Sequence, residues 1–470
     1  MNKPVSVPPN PAASRGDTPL WQQLQQVAVV MQKVEAGASA TTALEAVPAA
    51  IRPGVQALVF ETLRGLGVGR VLCRQLVQRR PAPLLQALLH SALVLAWQAG
   101  EQREDGRGYT DFTLVSQAVE AAKRHPKLRH SAAMVNAVLR RYLREQPALR
   151  QAVQQASPQG DPALLNVPEW WLQRLQRDHG AEAATALIHH GQRAAPMTLR
   201  VNARHMSADA YLEQQLRPAG LDGWRQGVYG IVLQRPCPVQ QLPGFAEGWV
   251  SVQDMAAQLA APLLLEALPS GERLRLLDAC AAPGGKTAHL LELGDHEVLA
   301  LDQDPQRCER IHDTLQRLRL PAEVRAVDAA EVERWWDGHL FDGILLDAPC
   351  TASGIVRRHP DVPWLRRASD VPQLAAAQVR LLQALWPLLK PGGRLLYCTC
   401  SVFREEGDAQ IEAFLLHHND ALRLPAPGHL IPMGVSGTPR LMDNGVAGDT
   451  AVTGLMDHDG FYYALLAKRD

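Results

Sequence analysis

Residues 274–287 read LRLLDACAAPGGKT, and this stretch decides the fold of the second half of the chain. A short apolar run ends in Asp278, a loop with Gly284 and Gly285 follows, and a helical pattern begins near Lys286. The two glycines allow backbone N–H groups to approach an anion or a carboxylate ahead of the helix. The loop has neither the G-x-G-x-x-G nor the G-x-x-x-x-G-K spacing. It therefore differs from the common dinucleotide and triphosphate loops.

The rest of the C-terminal half continues this alternation of strands and helices. Further apolar runs of strand length occupy 297–302, 323–328, 343–350 and 394–400. Helical patterns lie between the runs at 286–293, 305–318, 331–336 and 371–389. Alternating β and α units of this size are typical of a parallel sheet with helices on both faces. We therefore predict that residues 251–470 form an α/β domain of Rossmann-like architecture.

The N-terminal part of the chain has the hydrophobic pattern of helices. Apolar residues recur at three- and four-residue spacing, as at Leu24, Val27, Ala28 and Met31. Further helices are predicted at 70–79, 84–98, 111–123 and 131–145, with breaks at Gly65, Gly67, Gly69 and Pro126. Since no β-period occurs, residues 20–150 are predicted to form an all-α domain. Residues 1–19, rich in Pro, Ser and Asn, are predicted to be a flexible tail.

The segment between these two parts, residues 151–250, carries a weaker and mixed pattern. Short helices are predicted at 168–179, 182–190 and 207–216, and strands at 199–202 and 231–234. We interpret the segment as a small α+β connecting region, which makes the chain a multidomain protein.

Composition excludes several classes of protein. A chain of 470 residues with 46% hydrophobic and 20% charged residues is ordinary for a globular protein and not for a disordered one. Lys+Arg and Asp+Glu are both 48, so a site for a polyanion must be a local patch. The N-terminus has no apolar signal region, and the longest apolar stretch, 84–100, is shorter than a bilayer span. Seven scattered cysteines do not make a disulfide framework. We expect a soluble, reduced, cytoplasmic protein that does not bind a membrane.

Four of the predicted strands carry an Asp at or near the carboxyl end, the edge where open α/β sheets bind ligands. Asp302 lies about 20 residues past the glycines, the position at which an acid accepts ribose hydroxyl groups. Asp328, at the end of the third strand, is placed to accept from an adenine amino group. A single Asp in such a place is commonly a helix cap or turn residue. Together the acids favour a nucleoside with a charged tail as ligand.

Two cysteines are predicted to converge at the same edge of the sheet. Cys350 ends the fourth strand and Cys400 ends the fifth, and these strands are neighbours in a doubly wound sheet. The simpler interpretation of a lone cysteine is a small buried hydrophobic residue, which we favour for Cys73, Cys237 and Cys308. A zinc site made of Cys280, Cys350, Cys398 and Cys400 is disfavoured, because 398 and 400 form C-x-C and no C-x-x-C is present. We therefore expect no metal.

Three long strings resemble one enzyme family. They are DACAAPGGKT (278–287), LLDAPCTASGIVRRHPD (345–361) and YCTCSVFREE (397–406). They are similar to the motifs of RNA cytosine-5 methyltransferases that use S-adenosylmethionine, the Fmu/Sun/NSUN family. YTDFTLVSQAVEAAKRH (109–125) and VNAVLRR (135–141) resemble the NusB-like RNA-binding domain of one bacterial branch, the 16S ribosomal RNA methyltransferase B type. The resemblance covers about residues 20–470.

The resemblance implies roles for individual residues. Cytosine C5 is a poor nucleophile, so a thiolate must first add at C6, and the family places this nucleophile at Cys400. Cys350 corresponds to the residue that assists release of the covalent product. Asp347 is placed to bind the cytosine amino/N3 edge and to stabilise charge, and Lys286 is the family's basic residue near the pocket. Because Cys398 lies two residues before Cys400, which thiol reacts is ambiguous, and we interpret Cys398 as a packing residue.

The resemblance also implies the cofactor ligands. Cys280, Ala281, Ala282, Pro283, Gly284, Gly285 and Lys286 would hold the methionine end of S-adenosylmethionine. Asp302 would bind the ribose, Asp328 the adenine, and Asp347 lies beside the cofactor as well.

Two groups of basic residues are candidates for contacts to RNA phosphates. One is Lys123, Arg124, Lys127, Arg129, Arg140, Arg141 and Arg144, with no acid between 123 and 144, and the other is Arg357, Arg358, Arg366 and Arg367. A charge run is often only a solvated face, but the second group follows the Pro-Cys loop, which favours phosphate contacts. His189, His190, His417 and His418 are expected to cap helix ends or lie on the surface.

Other functions stay open at this point. The same chemistry on a tRNA or on another rRNA site is an alternative, because the catalytic strings do not encode the base. A non-catalytic RNA-binding or antitermination factor is a second one, although intact Cys350 and Cys400 argue against it. Ribosomal RNA is the expected partner, and we expect a monomer.

Overall fold

The chain divides into two compact units, Met1–Pro168 and Glu169–Asp470. The computed structural model describes residues 18–99, 109–155, 165–269, 271–432 and 457–469. The predicted tail therefore lies outside the described residues except for its last two positions. None of the described helices is both long enough and apolar enough to cross a bilayer.

The described part of the first unit is helical, as the hydrophobic pattern predicts. Its helices are α1 (Leu20–Glu35), α2 (Ala40–Glu45), α3 (Arg52–Arg64), α4 (Leu66–Leu76), α5 (Pro83–Ala99), α6 (Asp111–Arg124) and α7 (Ala132–Gln155). The most apolar of these, α5, packs against α1, α3 and α4. The predicted apolar face of α1, including Leu24 and Met31, is fully buried.

Two details of the helical unit differ from the prediction. Gly65 ends α3, but Gly67 and Gly69 lie inside α4 and do not break it. A Cβ on Gly69 would lie 2.8 Å from Val94 Cγ2, so this glycine lets α4 approach α5 closely. Helix α7 continues past residue 145, through Pro147, to Gln155.

The second unit begins with three helices and a small antiparallel sheet. The helices are α8 (Glu169–His179), α9 (Ala181–Gln192) and α10 (Ala208–Tyr211), which continues as a π-helical turn at Leu212–Leu216. The strands are β1 (Thr198–Val201), β2 (Gly223–Gln226), β3 (Gly230–Leu233) and β4 (Val250–Val252), in the order β2-β3-β1-β4. The predicted strands at 199–202 and 231–234 are confirmed, whereas β2 and β4 were not predicted. Strand β4 crosses residue 250, where the sequence analysis placed a domain boundary.

A seven-stranded sheet forms the centre of the second unit. Its strands are β5 (Arg275–Asp278), β6 (Glu297–Asp302), β7 (Glu323–Ala326), β8 (Phe341–Asp347), β9 (Leu389–Thr399), β10 (Ala421–Leu430) and β11 (Phe461–Lys468). The order is β10-β11-β9-β8-β5-β6-β7. Strands β5 to β9 are mutually parallel, and β11 pairs antiparallel with β9 and with β10. The five predicted strands and their parallel arrangement are confirmed.

Helices cover both faces of this sheet. They are α11 (Met255–Gln258), α12 (Ala260–Leu265), α13 (Gly285–Leu293), α14 (Pro305–Leu318), α15 (Val362–Leu365), α16 (Asp370–Leu385) and α17 (Asp408–His417). Side chains of α12, α13 and α14 fill the core on one face, and those of α16 and α17 fill it on the other. The helix predicted at 331–336 is only a 3-10 turn at Val332–Arg334, after which the buried Trp335 indole donates to the carbonyl of Ala329.

Three arginines attach the four-stranded sheet to the larger one. Arg200 on β1 pairs with Glu292 on α13 at 2.8 Å, and both side chains are almost fully buried. Arg204 donates to the carbonyls of Leu291 and Gly294, at the end of the same helix. Arg317 on α14 reaches back to the carbonyl of Val250 on β4. Helix α13, which follows the glycine loop, and helix α14, which packs against that loop, are thereby held against the small sheet.

Candidate active site

Strands β5, β8 and β9 lie side by side, and their carboxyl ends define the site. Strand β5 pairs with β6 on one side and with β8 on the other, so the direction of winding reverses beside β5. Ligands of open α/β sheets bind outside the carboxyl ends of the strands at such a reversal. In the β8–β9 pair, Asp347 is opposite Cys398. The predicted adjacency of the fourth and fifth strands is confirmed.

The loops after β8 and β9 bring two thiols together. The sulfur atoms of Cys350 and Cys400 are 3.4 Å apart, and both side chains are partly exposed. The hydrogen bond with Cys400, together with burial, raises the pKa of Cys350 well above its ordinary value. Cys350 is therefore a neutral thiol, and its S–H can donate to the sulfur of Cys400.

Asp347 and Lys286 form an ion pair beside the thiols. Lys286 Nζ donates to Asp347 Oδ2 at 2.5 Å and lies 5.5 Å from the centre of the Phe461 ring. Burial alone would lower the pKa of Lys286, but the charge of Asp347 and the hydrogen bond with it raise that pKa above its ordinary value. Lys286 therefore stays charged at neutral pH.

Cys398 has a different environment from Cys400. It is fully buried, and its Sγ lies 3.5 Å from Asp347 Oδ1. Burial, followed by the charge of Asp347, raises the pKa of Cys398 well above its ordinary value. A thiol in this position stays protonated and packs under the ion pair.

The glycine loop connects β5 with α13 and needs glycine at one position. Gly284 has φ of +93°, and a Cβ there would lie 3.2 Å from the Cα of Ile311 on α14. The loop is tied to the sheet because Ala281 N–H donates to the Leu301 carbonyl at 2.8 Å. Cys280 lies among the charges of Asp347, Asp278 and Asp302, and burial is the main reason why its pKa is raised.

The two acids predicted to bind a nucleoside lie at the ends of β6 and β7. Asp302 is buried, accepts from Ala282 N–H at 3.3 Å and lies 3.2 Å from Arg307. Asp328 accepts from Ala330 N–H and pairs with Arg380 at 2.7 Å. Burial opposes ionisation of Asp328, but the bonds from Arg380 and Ala330 lower its pKa overall. Each carboxylate can accept about four hydrogen bonds, so both retain capacity for a ligand.

Sequence reasoning noted Asp278 as a strand end but assigned it no role. Its carboxyl group is fully buried, and Oδ2 accepts from Thr287 Oγ1 at 2.6 Å. Within the described residues its Oδ1 has no hydrogen-bond partner. Burial raises the pKa of Asp278 to about 7. This buried oxygen without a partner belongs to the residue that ends β5, directly before the glycine loop.

The basic group after the Pro-Cys loop does not have the role predicted for it. Arg357 and Arg358 are engaged by three acids, Asp254, Asp457 and Asp459. Arg358 lies 2.6 Å from Asp459 and 2.8 Å from Asp254. Arg366 donates to the carbonyls of Cys350 and Thr351. Of the four arginines, only Arg367 is exposed, so the predicted phosphate contacts of Arg357 and Arg358 are wrong.

The basic residues at 123–144 are all exposed, on α6, on α7 and in the turn between them. Arg124 pairs with Glu120, and both Arg141 and Arg144 pair with Glu145. Lys123, Lys127 and Arg140 have no acidic partner in the described part of the chain. The surface of α6, α7 and the turn between them therefore keeps an excess of positive charge, carried by these three residues and by Arg129, whose Nε donates to His130.

Other predicted side chains are only partly where the sequence placed them. His189 is exposed, but His190 is buried, and burial lowers its pKa to about 4. Cys73 and Cys308 are buried, as predicted, whereas Cys237 is partly exposed. Over the described ranges, no group of three or more His, Cys, Asp or Glu residues is arranged to hold a metal ion.

The seven-stranded sheet, with its five parallel strands and the reversal beside β5, has Rossmann-like architecture, and comparison with known proteins identifies a methyltransferase family. The model of the 16S rRNA methyltransferase RsmB/F family matches residues 265–467. The model of the RsmF/B-like ferredoxin-like domain matches residues 167–240, which include three strands of the small sheet. The chain belongs to the RsmB/F family of 16S rRNA methyltransferases.

Individual relatives agree with this assignment. The ribosomal RNA small subunit methyltransferase B of Vibrio vulnificus is 41% identical over 450 residues, 94% of this chain and 98% of the relative. That of Pseudomonas syringae is 44% identical over 341 residues, 71% of this chain and 72% of the relative. The crystal structure of PH0851 superposes with a TM-score of 0.73 at 23% identity, covering 99% of this chain and 100% of that one. The protein is thus an rRNA methyltransferase, and its overall fold is one already observed.

The charge cluster around Arg357 leads to a stability prediction. Arg357→Ala should lower the free energy of unfolding by about 3–5 kcal/mol, because Asp459 and Asp254 lose a buried countercharge. Arg367→Ala, ten residues further along the chain but exposed, should change stability by less than about 0.5 kcal/mol. Urea unfolding of the full chain, followed by tryptophan fluorescence, measures both. If Arg357→Ala is as stable as the parent, the cluster does not support the fold.

Proposed function

We propose that the protein transfers a methyl group from S-adenosylmethionine to C5 of a cytosine in 16S rRNA through a covalent cysteine–C6 adduct. The observation that carries this proposal is the pair of thiols, Cys350 and Cys400, 3.4 Å apart beside the Asp347–Lys286 ion pair. Two thiols are needed if one adds to the base and the other assists its departure. The same chemistry on tRNA or another rRNA site is less favoured, since the family acts on 16S rRNA.

Cys400 is the proposed nucleophile. Its thiolate adds to C6 of the cytosine, and the electron pair of the C5–C6 bond becomes available at C5 for bonding to the methyl group. Cys350 is placed to hydrogen-bond the sulfur that must carry negative charge before addition. Cys398 is held as a buried neutral thiol and is not suited to this role.

Asp347 and Lys286 are proposed to hold the base. Asp347 lies at the end of β8 between the thiols and the glycine loop, and it can accept from the cytosine amino group. The charged Lys286 partly balances Asp347, and it supplies positive charge to a pocket in which electron density moves onto the cytosine ring. A base that reaches this pocket must first leave its stack, which costs least in a single-stranded loop.

Cys350 is proposed to act after methyl transfer. The C5 proton then leaves to a basic group or water, the C6–S bond breaks, and its electron pair returns to the sulfur of Cys400. The S–H of Cys350 is within hydrogen-bond distance of this sulfur and would stabilise the departing thiolate. Without it, the covalent adduct should accumulate.

The residues around the glycine loop fit S-adenosylmethionine, which when bound supplies an electrophilic methyl group. Asp278, whose buried Oδ1 has no hydrogen-bond partner within the described residues, lies two residues before the loop Cys280–Lys286, where the methionine end would lie. Glycine at 284, with φ of +93°, lets the loop turn into α13 while it packs directly against Ile311 on α14. Asp302 and Asp328 present carboxylates at the next two strand ends, as a ribose and an adenine require.

The helical unit is proposed to supply RNA affinity and choice of target. The resemblance of 109–125 and 135–141 to a NusB-like domain falls on α6 and α7, whose exposed surface carries the unpaired Lys123, Lys127 and Arg140. The catalytic residues all lie in the second unit, so this surface is not required for the chemistry. The expectations of a cytoplasmic, metal-free monomer stay predictions.

The order of events predicts different outcomes for the three cysteines. Cys400→Ala should abolish turnover, and Cys350→Ala should trap an RNA–protein adduct that migrates slowly on a denaturing gel and is sensitive to RNase. Cys398→Ala is the matched control and should retain methylation, measured by bisulfite sequencing of the RNA. Turnover by Cys400→Ala, or loss of turnover only in Cys398→Ala, would transfer the nucleophile to residue 398.

The cofactor assignment predicts weaker binding when Asp302 is removed. Asp302→Ala should raise the dissociation constant of S-adenosylmethionine roughly 10- to 150-fold, the loss of a charge-assisted acceptor worth about 1.5–3 kcal/mol. Asp304→Ala is the control, because Asp304 caps α14 through Gln306 N–H two residues away. Titration calorimetry on both variants decides the matter, and equal affinities would refute the placement of the ribose.

The basic surface predicts a change in the salt dependence of RNA binding. Replacing Lys123, Lys127 and Arg140 by Gln should flatten the log–log salt slope by roughly 0.7–1 unit per lost phosphate contact. Replacing the acid-paired Arg124, Arg141 and Arg144 by Gln removes the same formal charge from the same surface and should have a smaller effect. Cofactor affinity should not change in either variant. A parental slope in the first variant means that these residues only solvate the helices.

A further inference from the structure

Glu406 is a buried acid whose hydrogen bonds join the loops that carry the two reactive cysteines. It lies in the 3-10 turn Arg404–Glu406 after β9, and its side chain is fully buried. Oε1 accepts from the backbone N–H of Thr351 at 2.8 Å, and Oε2 accepts from Thr351 Oγ1 at 2.5 Å and from Ser401 Oγ at 2.6 Å.

The residues that bind Glu406 are the direct neighbours of the two reactive cysteines in the chain. Thr351 directly follows Cys350, and Ser401 directly follows Cys400. Strand β8 ends at Asp347 and β9 ends at Thr399, so both cysteines lie beyond the regular pairing of the two strands. One carboxylate therefore bridges the loops at the residues next to the thiols.

The surrounding network requires an acceptor at this place. Ser401 Oγ accepts from Phe403 N–H and lies 2.8 Å from Ser353 Oγ, which in turn accepts from Val402 N–H. With these lone pairs in use, the hydroxyl proton of Ser401 is free to point at Glu406. Thr351 presents both an N–H and an O–H to the same carboxylate, so every close group donates.

Two further contacts hold Glu406 itself in place. Its backbone carbonyl accepts from the hydroxyl of the buried Tyr397 at 2.9 Å and from Thr399 Oγ1 at 3.3 Å. Both residues are on β9, so the turn that carries Glu406 folds back on its own strand. Burial raises the pKa of Glu406, while the bonds from Ser401 and Thr351 favour its charged form.

We propose that Glu406 is a positioning residue that sets the separation of the Cys350 and Cys400 sulfur atoms. The catalytic consequence rests on the proposed function, since it is the release step that needs Cys350 beside Cys400. Other links between the loops run from Gly354 N–H to the Cys400 carbonyl at 2.9 Å and from Ser353 to Ser401 and Val402, and they keep the loops near one another without involving Thr351. Without the carboxylate, the two loops keep their strands and lose the register of their thiols.

A bifunctional thiol reagent measures this separation without RNA or cofactor. Phenylarsine oxide condenses with two neighbouring thiols, forming two As–S bonds and releasing one water, and mass spectrometry identifies the bridged peptides. Glu406→Ala should slow bridging of Cys350 to Cys400 on the order of 100-fold, the cost of a misplacement of about 1 Å. Glu406→Gln keeps the size but puts an amide N–H toward groups that donate, and it should be intermediate. Cys350→Ala gives the background.

A matched control comes from the opposite end of β8. Asp342 accepts from Arg275 N–H at 2.8 Å and also binds Lys390, away from the cysteine loops. Asp342→Ala should leave bridging at the parental rate. If Glu406→Ala fails to fold, Thr351→Val and Ser401→Ala each remove one hydroxyl donor to the carboxylate and should each slow bridging. Parental bridging in folded Glu406→Ala, or in both single variants, would overturn the proposal.

Methylation assays separate this proposal from the proposed function. We expect kcat of Glu406→Ala to fall by about 100-fold and KM for RNA to fall with it, since the slowed step follows formation of the covalent adduct. If bridging slows while kcat is unchanged, Glu406 positions the thiols and the assigned role of Cys350 is wrong. If bridging is unchanged while kcat falls, the positioning role itself is wrong.

Discussion

The parallel pairing of β8 with β9 is the constraint on which the site depends. It sets Asp347 opposite Cys398, and the chain needs only three further residues on one strand and two on the other to reach Cys350 and Cys400. Because successive side chains of a strand point to opposite faces, a slip of one residue would turn Asp347 away from Lys286. The eleven-residue β9, buried at its carboxyl end and paired on both sides, makes such a slip costly.

The sequence predicted those features of the fold that depend on local pattern. Strands β5 to β9 were found from short apolar runs with an Asp or a Cys near the end, although β9 begins at Leu389, five residues before its predicted start. Strand β10 contains Pro425, Pro427 and Gly428, which argue against a strand, and it is tolerated because β10 lies at the edge of the sheet and is irregular between Leu424 and Gly428. The run FYYALLAK of β11 has the apolar composition of a buried strand. It was not predicted because it does not follow a helix of the alternating β/α series.

Contacts between residues far apart in the chain were the part that the sequence did not predict. Arg357 looked like a ligand for phosphate because it follows a catalytic motif, yet its partner Asp459 is 102 residues away. Glu406 was only the last residue of a quoted motif, and only the fold shows that it is buried against Thr351. In both cases the residue type was evident and the partner was not. Buried polar groups must be paired, but the neighbouring sequence does not indicate which distant residue supplies the partner.

The buried pair between Arg200 and Glu292 has a consequence for how this enzyme can be divided. The family models treat residues 167–240 and 265–467 as separate matches, but Arg200 of the first also donates to the carbonyl of Gly285, the first residue of α13. A fragment that begins after the small sheet would leave the Glu292 carboxylate without its Arg200 partner. It would also lose the hydrogen bond from Arg200 to the glycine loop. The small sheet is therefore structurally part of the catalytic domain. A truncated or fused version of the protein that is meant to stay active must contain both the small sheet and the seven-stranded sheet.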